Sequence, residues 1–179
     1  ENEGIIQHVE ERKSILSRAD NLLRRKEQLI AANIDQVLIT VSVIHPPLKT
    51  FIVDRYIIAT EKGNMQPIIV VNKIDLLEDL SFSEEIREQE KKLYLEFVKA
   101  YQDINIKVIG VSAESGFCLD ELRGLMKNKS SVFSGQSGVG KSSLINAMIG
   151  SNLKVGDVVE KTQKGSHTTT MAQLLPLDF

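Results

Sequence analysis

The chain contains one cysteine, Cys118, which rules out an internal disulfide and leaves no cysteine-based zinc site. A reducing cytoplasm is the natural setting for such a protein. No apolar run is long enough to cross a bilayer. The opening residues, Glu1-Asn2-Glu3-Gly4, have neither the cationic start nor the apolar stretch of a secretory signal. Charge of one sign is also missing. Twenty-two Lys and Arg against 24 Asp and Glu give a net charge of −2, so nothing global points to nucleic acid, DNA included. An RNA contact has to come from a local patch or from segments outside this chain. What the sequence does have is apolar content, 42% over 179 residues, enough for one domain with a sizeable core, or for a domain and a fragment of another. These features describe a soluble protein, read here as a monomer with no membrane partner.

Gly4 to Val9 reads as a short strand, and the polar stretch Glu10 to Asp20 as a linker. Arg12, Lys13 and Arg18, extended by Arg24, Arg25 and Lys26, form a basic tract that is either a solvated connector or a local RNA contact. From Asp35 onward strands alternate with helices. Val37 to Val43 is β-branched, as a strand buried on both faces would be, and His45-Pro46-Pro47 stops it. Phe51, Asp54, Arg55, Ile58 and Ala59 recur at helical spacing before Gly63-Asn64. Pro67 to Val71 is a second buried strand. Ser83 to Tyr101 is a helix with Ser83 as N-cap, Glu84 and Glu85 in its first turn, and Ile86, Leu93, Phe97 and Tyr101 as its core stripe. Ile106 to Val111 is a third strand, Leu119 to Met126 a helix, Ser131 to Phe133 a fourth strand, and Ser143 to Met148 a helix. This alternation predicts an α/β fold with a mostly parallel sheet flanked by helices.

Gly135-Gln136-Ser137-Gly138-Val139-Gly140-Lys141-Ser142 matches GxxxxGK[ST] between an apolar strand and a helix, the context that a phosphate-binding loop requires. Glycines let the loop curl so that backbone N–H groups converge on phosphate oxygens, and the helix N-terminus adds partial positive charge. Lys141 is placed to bridge the β- and γ-phosphates, and the Ser142 hydroxyl to ligate Mg²⁺, with Ser143 completing the loop.

Asn72-Lys73-Ile74-Asp75 ends a buried strand at the carboxyl edge of the sheet, where open α/β folds bind ligands. Asp75 can accept from the N1–H and exocyclic amine of guanine, whereas adenine would leave that carboxylate without its donor. Lys73 would pack its stem over base or ribose, and Asn72 would tie this loop to the phosphate loop. Ser112-Ala113, at the next strand end, is either a helix-entry turn or the loop whose backbone amide meets guanine O6. Together these point to GTP or GDP as the ligand.

The order of the motifs is inverted. The base-reading motif and Ser112-Ala113 precede the phosphate loop, and Gly165-Ser166-His167-Thr168-Thr169-Thr170 follows it. In this order, with Asn33-Ile34-Asp35-Gln36 and Asp54-Arg55-Tyr56 upstream, the chain resembles the bacterial ribosome small subunit-dependent GTPase A family over essentially its whole length. The resemblance implies a three-layer P-loop GTPase fold, circularly permuted, with residues 1–20 as the end of an N-terminal OB-fold and its linker. Residues 21–179 would be a GTPase domain incomplete at its C-terminus, and a zinc-binding domain would lie outside the chain. It also implies GTP hydrolysis stimulated by the small (30S) ribosomal subunit, whose rRNA the family contacts late in subunit maturation. One of Thr168, Thr169 and Thr170 would bring a hydroxyl to Mg²⁺ and the γ-phosphate, with Thr169 taken as the catalytic one. His167 is either a solvated loop residue or the group that acts on the attacking water. Met171 to Leu177 reads as the strand after the switch, and no Asp-x-x-Gly follows Thr170. Two other readings share part of this pattern: a nucleotide-switched RNA-binding assembly module, and a permuted GTPase of large-subunit assembly. Gln136-Ser137-Gly138-Val139 and His167-Thr168 argue against the second.

Overall fold

The computed structural model describes residues 7–19, 27–149 and 177. The centre is β3 (Gln36–Ser42), every residue of which is buried. It pairs in parallel with β4 (Gln66–Asn72), Gln36 opposite Gln66 and Ser42 opposite Asn72. On its other side it pairs in parallel with β6 (Ser131–Ser134). β4 carries β5 (Lys107–Gly110), again parallel, so the order is β5-β4-β3-β6. Strands in such a sheet are covered on both faces, which is why β3 and β4 are nearly continuous apolar runs and do not alternate.

Each face has its own core. Val37, Ile39 and Val41 point one way and pack with Val53 and Ile57 of α1 (Thr50–Lys62) and Phe97 and Tyr101 of α2 (Glu84–Gln102). Leu38 points the other way, with Ile68, Val70 and Ile109, onto Leu122 and Met126 of α3 (Leu119–Met126) and Leu144 and Met148 of α4 (Lys141–Ile149). The two-residue repeat of a strand makes this division, and the result is the expected three-layer α/β fold. Tyr101 fastens α2 to α1: its hydroxyl donates to Asp54 Oδ1 at 2.6 Å, and burial pushes the phenol pKa up. Ser83 caps α2, its Oγ accepting from the Ile86 N–H at 3.4 Å.

Four sequence expectations are corrected. Of the proposed strand Gly4–Val9, residues 4–6 lie outside the described set, and residues 7–9 pair with nothing and are exposed. The stretch expected to be linker contains β1 (Ile15–Ala19), antiparallel to β2 (Glu27–Ala32). This hairpin is welded to the sheet domain through groups that polarity-based reading overlooks. The Ile15 N–H donates to the Gly63 carbonyl at 3.1 Å, Ser14 Oγ donates to the Ile34 carbonyl at 2.6 Å and accepts from the Ile34 N–H at 2.7 Å, and Leu16 is buried. Arg24 to Lys26 lie outside the described residues. On α2, Ile86 and Leu93 are exposed, and the stripe against the sheet is Tyr94, Phe97, Val98 and Tyr101. On α1 the helix is as expected, but Phe51 and Ile58 face out while Val53, Ile57 and Thr60 face in.

Leu38 is fully buried and Leu95 on α2 is 64% exposed. Leu38→Ala is expected to cost about 2–5 kcal/mol and Leu95→Ala no more than about 0.5 kcal/mol, read from urea unfolding midpoints at constant m.

Candidate nucleotide-binding site

The sheet order brings three loops together at one edge. β4 ends in the base-reading motif, β5 ends two residues before Ser112-Ala113, and β6 runs into the phosphate loop. Asn72 joins all three. Its side chain is 1% exposed, its Nδ2 donates to the Val139 carbonyl at 2.9 Å, and its Oδ1 accepts from the Ala113 N–H at 3.1 Å. The tie to the phosphate loop was legible in the motif; the second bond to Ala113 was not. It also means that the Ala113 N–H is already committed, so meeting guanine O6 through it calls for an exchange of partners.

The loop from Gly135 to Gly140 needs its glycines where backbone meets neighbour. A Cβ at Gly135 would collide with the Thr40 carbonyl oxygen of β3. Gly140 has φ +90°, and a Cβ there would collide with the Asn72 side-chain amide. Gly138 also has positive φ, Val139 is buried, and Ser137 and Ser142 are exposed at the mouth of the loop with Ser143. The Leu144 N–H donates to the Gly140 carbonyl at 2.9 Å and starts α4. Lys141 Nζ donates to the carbonyls of Gly135 at 2.9 Å and Gln136 at 2.8 Å. Its half-buried ammonium has a pKa lowered by desolvation. Phosphate oxygens would offer that cation charged partners in place of neutral carbonyls.

Lys73 makes a contact that its motif does not announce. Its backbone is left-handed, φ 64°, and its Nζ donates to the Gly138 carbonyl at 2.8 Å and the His45 carbonyl at 2.5 Å. It therefore clamps the phosphate loop to the β3–α1 connection. Sequence reading missed His45, since the contact runs through its carbonyl and leaves no side-chain signal; the ring itself lies 5.7 Å from that of Phe82.

Asn72, Lys73, Asp75, Leu76, Ala113, Glu114, Gly140 and Ser143 line one cavity of about 360 Å³. Asp75 Oδ1 is buried without a hydrogen-bond partner. A buried carboxylate oxygen left unpaired is costly, and a ligand with paired N–H donors removes that cost. A larger cavity of about 490 Å³ shares Asp75 but is otherwise walled by Ile74, Leu77, Glu78, Lys91, Tyr94, Leu95, Ser115 and Phe117. The smaller one is the nucleotide candidate, because the motif residues converge on it. Ser112 is fully buried, its Oγ accepting from the Ser115 N–H at 3.0 Å, which shapes this loop from behind. His167, Thr168, Thr169 and Thr170 lie outside the described residues.

Strain at a positive φ and loss of the Asn72 bond each cost on the order of 1–3 kcal/mol. Gly140→Ala is therefore expected to lower GDP affinity by roughly a hundredfold or more, measured by titration calorimetry. Lys141 gives a pH signature. Its folded pKa lies below the ordinary lysine value of 10.5, so between the two the unfolded chain holds more protons and stability rises with pH. The rise is complete above 10.5 and absent below the folded pKa. Lys141→Met should abolish that alkaline rise in ligand-free unfolding experiments and also remove phosphate-dependent nucleotide binding.

A family model described as RsgA GTPase matches residues 9–179. A small ribosomal subunit biogenesis GTPase RsgA of Shewanella oneidensis is 46% identical over 97% of this chain and 46% of its own length. One from Chlorobaculum parvum is 41% identical over 98% of this chain and 54% of its own. The chain thus spans about half the length of the curated relatives it matches. Among solved structures, YjeQ from Thermotoga maritima superposes with a TM-score of 0.68 at 31% identity, covering 97% of this chain and 51% of that one. YloQ, a circularly permuted GTPase, gives 0.60 at 27% identity, covering 79% and 43%. Motif order, parallel sheet and these matches agree: the chain belongs to the RsgA GTPase family, with the circularly permuted GTPase fold.

Proposed function

We propose that this protein binds GTP, hydrolyses it to GDP and phosphate, and acts in late maturation of the small ribosomal subunit, whose rRNA it contacts and whose presence stimulates turnover. The observation that carries the nucleotide assignment is the unpartnered, buried Oδ1 of Asp75, a residue that lines one cavity with Asn72, Ala113 and Gly140. Guanine offers two adjacent N–H donors to that carboxylate and adenine does not.

In this reading the Lys141 ammonium turns from the Gly135 and Gln136 carbonyls to the β- and γ-phosphates, helped by the N-terminus of α4. Gly138, Val139 and Gly140 present backbone N–H groups, and the Ala113 N–H turns from Asn72 to guanine O6. The residues present fit a Mg²⁺–nucleotide complex: Ser142 stands exposed at the start of α4, where its hydroxyl can serve as a ligand. One of Thr168, Thr169 and Thr170 supplies a second hydroxyl. When bound, Mg²⁺ neutralises charge between the phosphates. His167 orients the attacking water, and an imidazole titrating near neutral pH suits that role. The protein acts in the cytoplasm as a monomer, and no described helix is long and apolar enough to cross a membrane. Residues 1–20 belong to the end of an N-terminal OB-fold, of which β1 is the part docked on the GTPase domain, and the zinc-binding domain follows the GTPase domain in the longer family members.

Asp75→Asn exchanges an acceptor for a donor at the base edge. It should weaken GTP binding by roughly a hundredfold or more while raising affinity for xanthosine triphosphate. Competition of both nucleotides against a fluorescent GDP analogue measures this, and an unaltered preference for guanine would sink the assignment. Phosphate release with and without small ribosomal subunits tests the catalytic part.

A further inference from the structure

We propose that Arg123, on α3, is a positioning residue for the phosphate loop. It holds the C-terminal end of α4 and thereby fixes the helix whose other end meets the phosphates; the inference rests on the nucleotide reading above. Arg123 Nη2 donates to the carbonyls of Ala147 and Met148, both at 3.0 Å, and Nε donates to Met148 at 3.3 Å. Nη1 is steered by Asp120 Oδ1 at 2.5 Å, while the Arg123 side chain is only 29% exposed.

A helix ends with carbonyls that lack intrahelical partners, and its C-terminus carries partial negative charge. Among the described residues, α4 meets neither need itself. It has no acidic residue in its first turn and no basic residue in its last. The cation at its C-terminus therefore comes from another helix, and the planar guanidinium spans two successive carbonyls in a way that one ammonium does not. Among the described residues, no other side chain is seen to hydrogen-bond an α4 carbonyl.

The geometry gives that contact a functional consequence. α4 has nine residues, a rod of about 13 Å. In the loop two residues before it Asn72 grips Val139, and at its trailing end Arg123 grips Ala147 and Met148. Between them only Leu144 and Met148 are buried in the core. α3, which carries Arg123, begins directly after the Ser112-to-Cys118 loop. The base-side and phosphate-side halves of the site are thus fastened at both ends of one short helix. Releasing the trailing end lets α4 pivot on Leu144, and the N–H groups at 140–143 lose the convergence that phosphate binding needs.

Arg123→Gln and Arg123→Lys test this, with Val53→Ala in the opposite core as a control for lost stability. The measurements are GDP affinity by calorimetry, amide hydrogen exchange over residues 140–149 with GDP bound, and urea unfolding. Arg123→Gln should weaken GDP about tenfold, equivalent to about 1.4 kcal/mol, and speed exchange at 140–143 as well as at 147–149. The Lys variant should fall between Gln and the parent, which keeps the test open if Arg123→Gln does not fold. Val53→Ala should lose stability with its GDP affinity unchanged. GDP affinity within twofold of the parent in Arg123→Gln, or faster exchange confined to 147–149, would overturn the proposal. A GDP loss in Val53→Ala equal to that in the Arg123 variants would do so too. A parent protein that binds no GDP would instead defeat the nucleotide reading on which the inference rests.

Discussion

One side chain organises the nucleotide edge of this molecule. The Asn72 carboxamide spends its donor on Val139 and its acceptor on Ala113, and so joins the ends of β4, β5 and β6 into one site. Because the group is 1% exposed, its bonds compete with no bulk water. An amide with both ends engaged in the interior fixes loop positions more firmly than the same contacts at the surface. Gly140 follows from it, since the Asn72 amide fills the space a Cβ would need. The position of Asp75 follows as well, three residues along and facing the same cavity.

Permutation leaves this arrangement intact because sheet contacts depend on strand neighbours and not on chain order. β3 lies between the strand that ends in the base motif and the strand that leads into the phosphate loop, although it precedes both in sequence. Full burial of β3, with side chains alternating into two separate cores, fixes the register on both sides. Chain ends can therefore move without disturbing the site. What changes is the order of the motifs along the chain: Asn72 to Asp75 precede Gly135 to Ser142.

The fold was readable where periodicity and punctuation are strong. Val37 to Val43 and Pro67 to Val71 announce buried parallel strands, and GxxxxGK[ST] between strand and helix admits few other meanings. The hairpin β1–β2 was not readable, because what secures it is a hydroxyl exchanging bonds with one backbone unit and a single buried leucine within a polar stretch. On α2, Phe97 and Tyr101 face the core as expected, but Ile86 and Leu93, which fit the spacing, are exposed, and Tyr94 and Val98 take the remaining places against the sheet. In the site, the meeting of the Asn72–Asp75 and Gly135–Ser142 loops at one sheet edge was legible from the motifs. Contacts made by backbone carbonyls were not, among them His45 with Lys73 and Ala147 and Met148 with Arg123.

The central claim is that Asn72 assembles base and phosphate recognition into one unit. The most direct test is the rate of GDP dissociation from Asn72→Ala, followed by stopped-flow release of a fluorescent GDP analogue. Removing the amide strands the Val139 carbonyl and the Ala113 N–H, each at about 1–3 kcal/mol. Dissociation faster by roughly a hundredfold, from a protein that still unfolds cooperatively, is the predicted result. A rate indistinguishable from that of the parent protein would contradict the account.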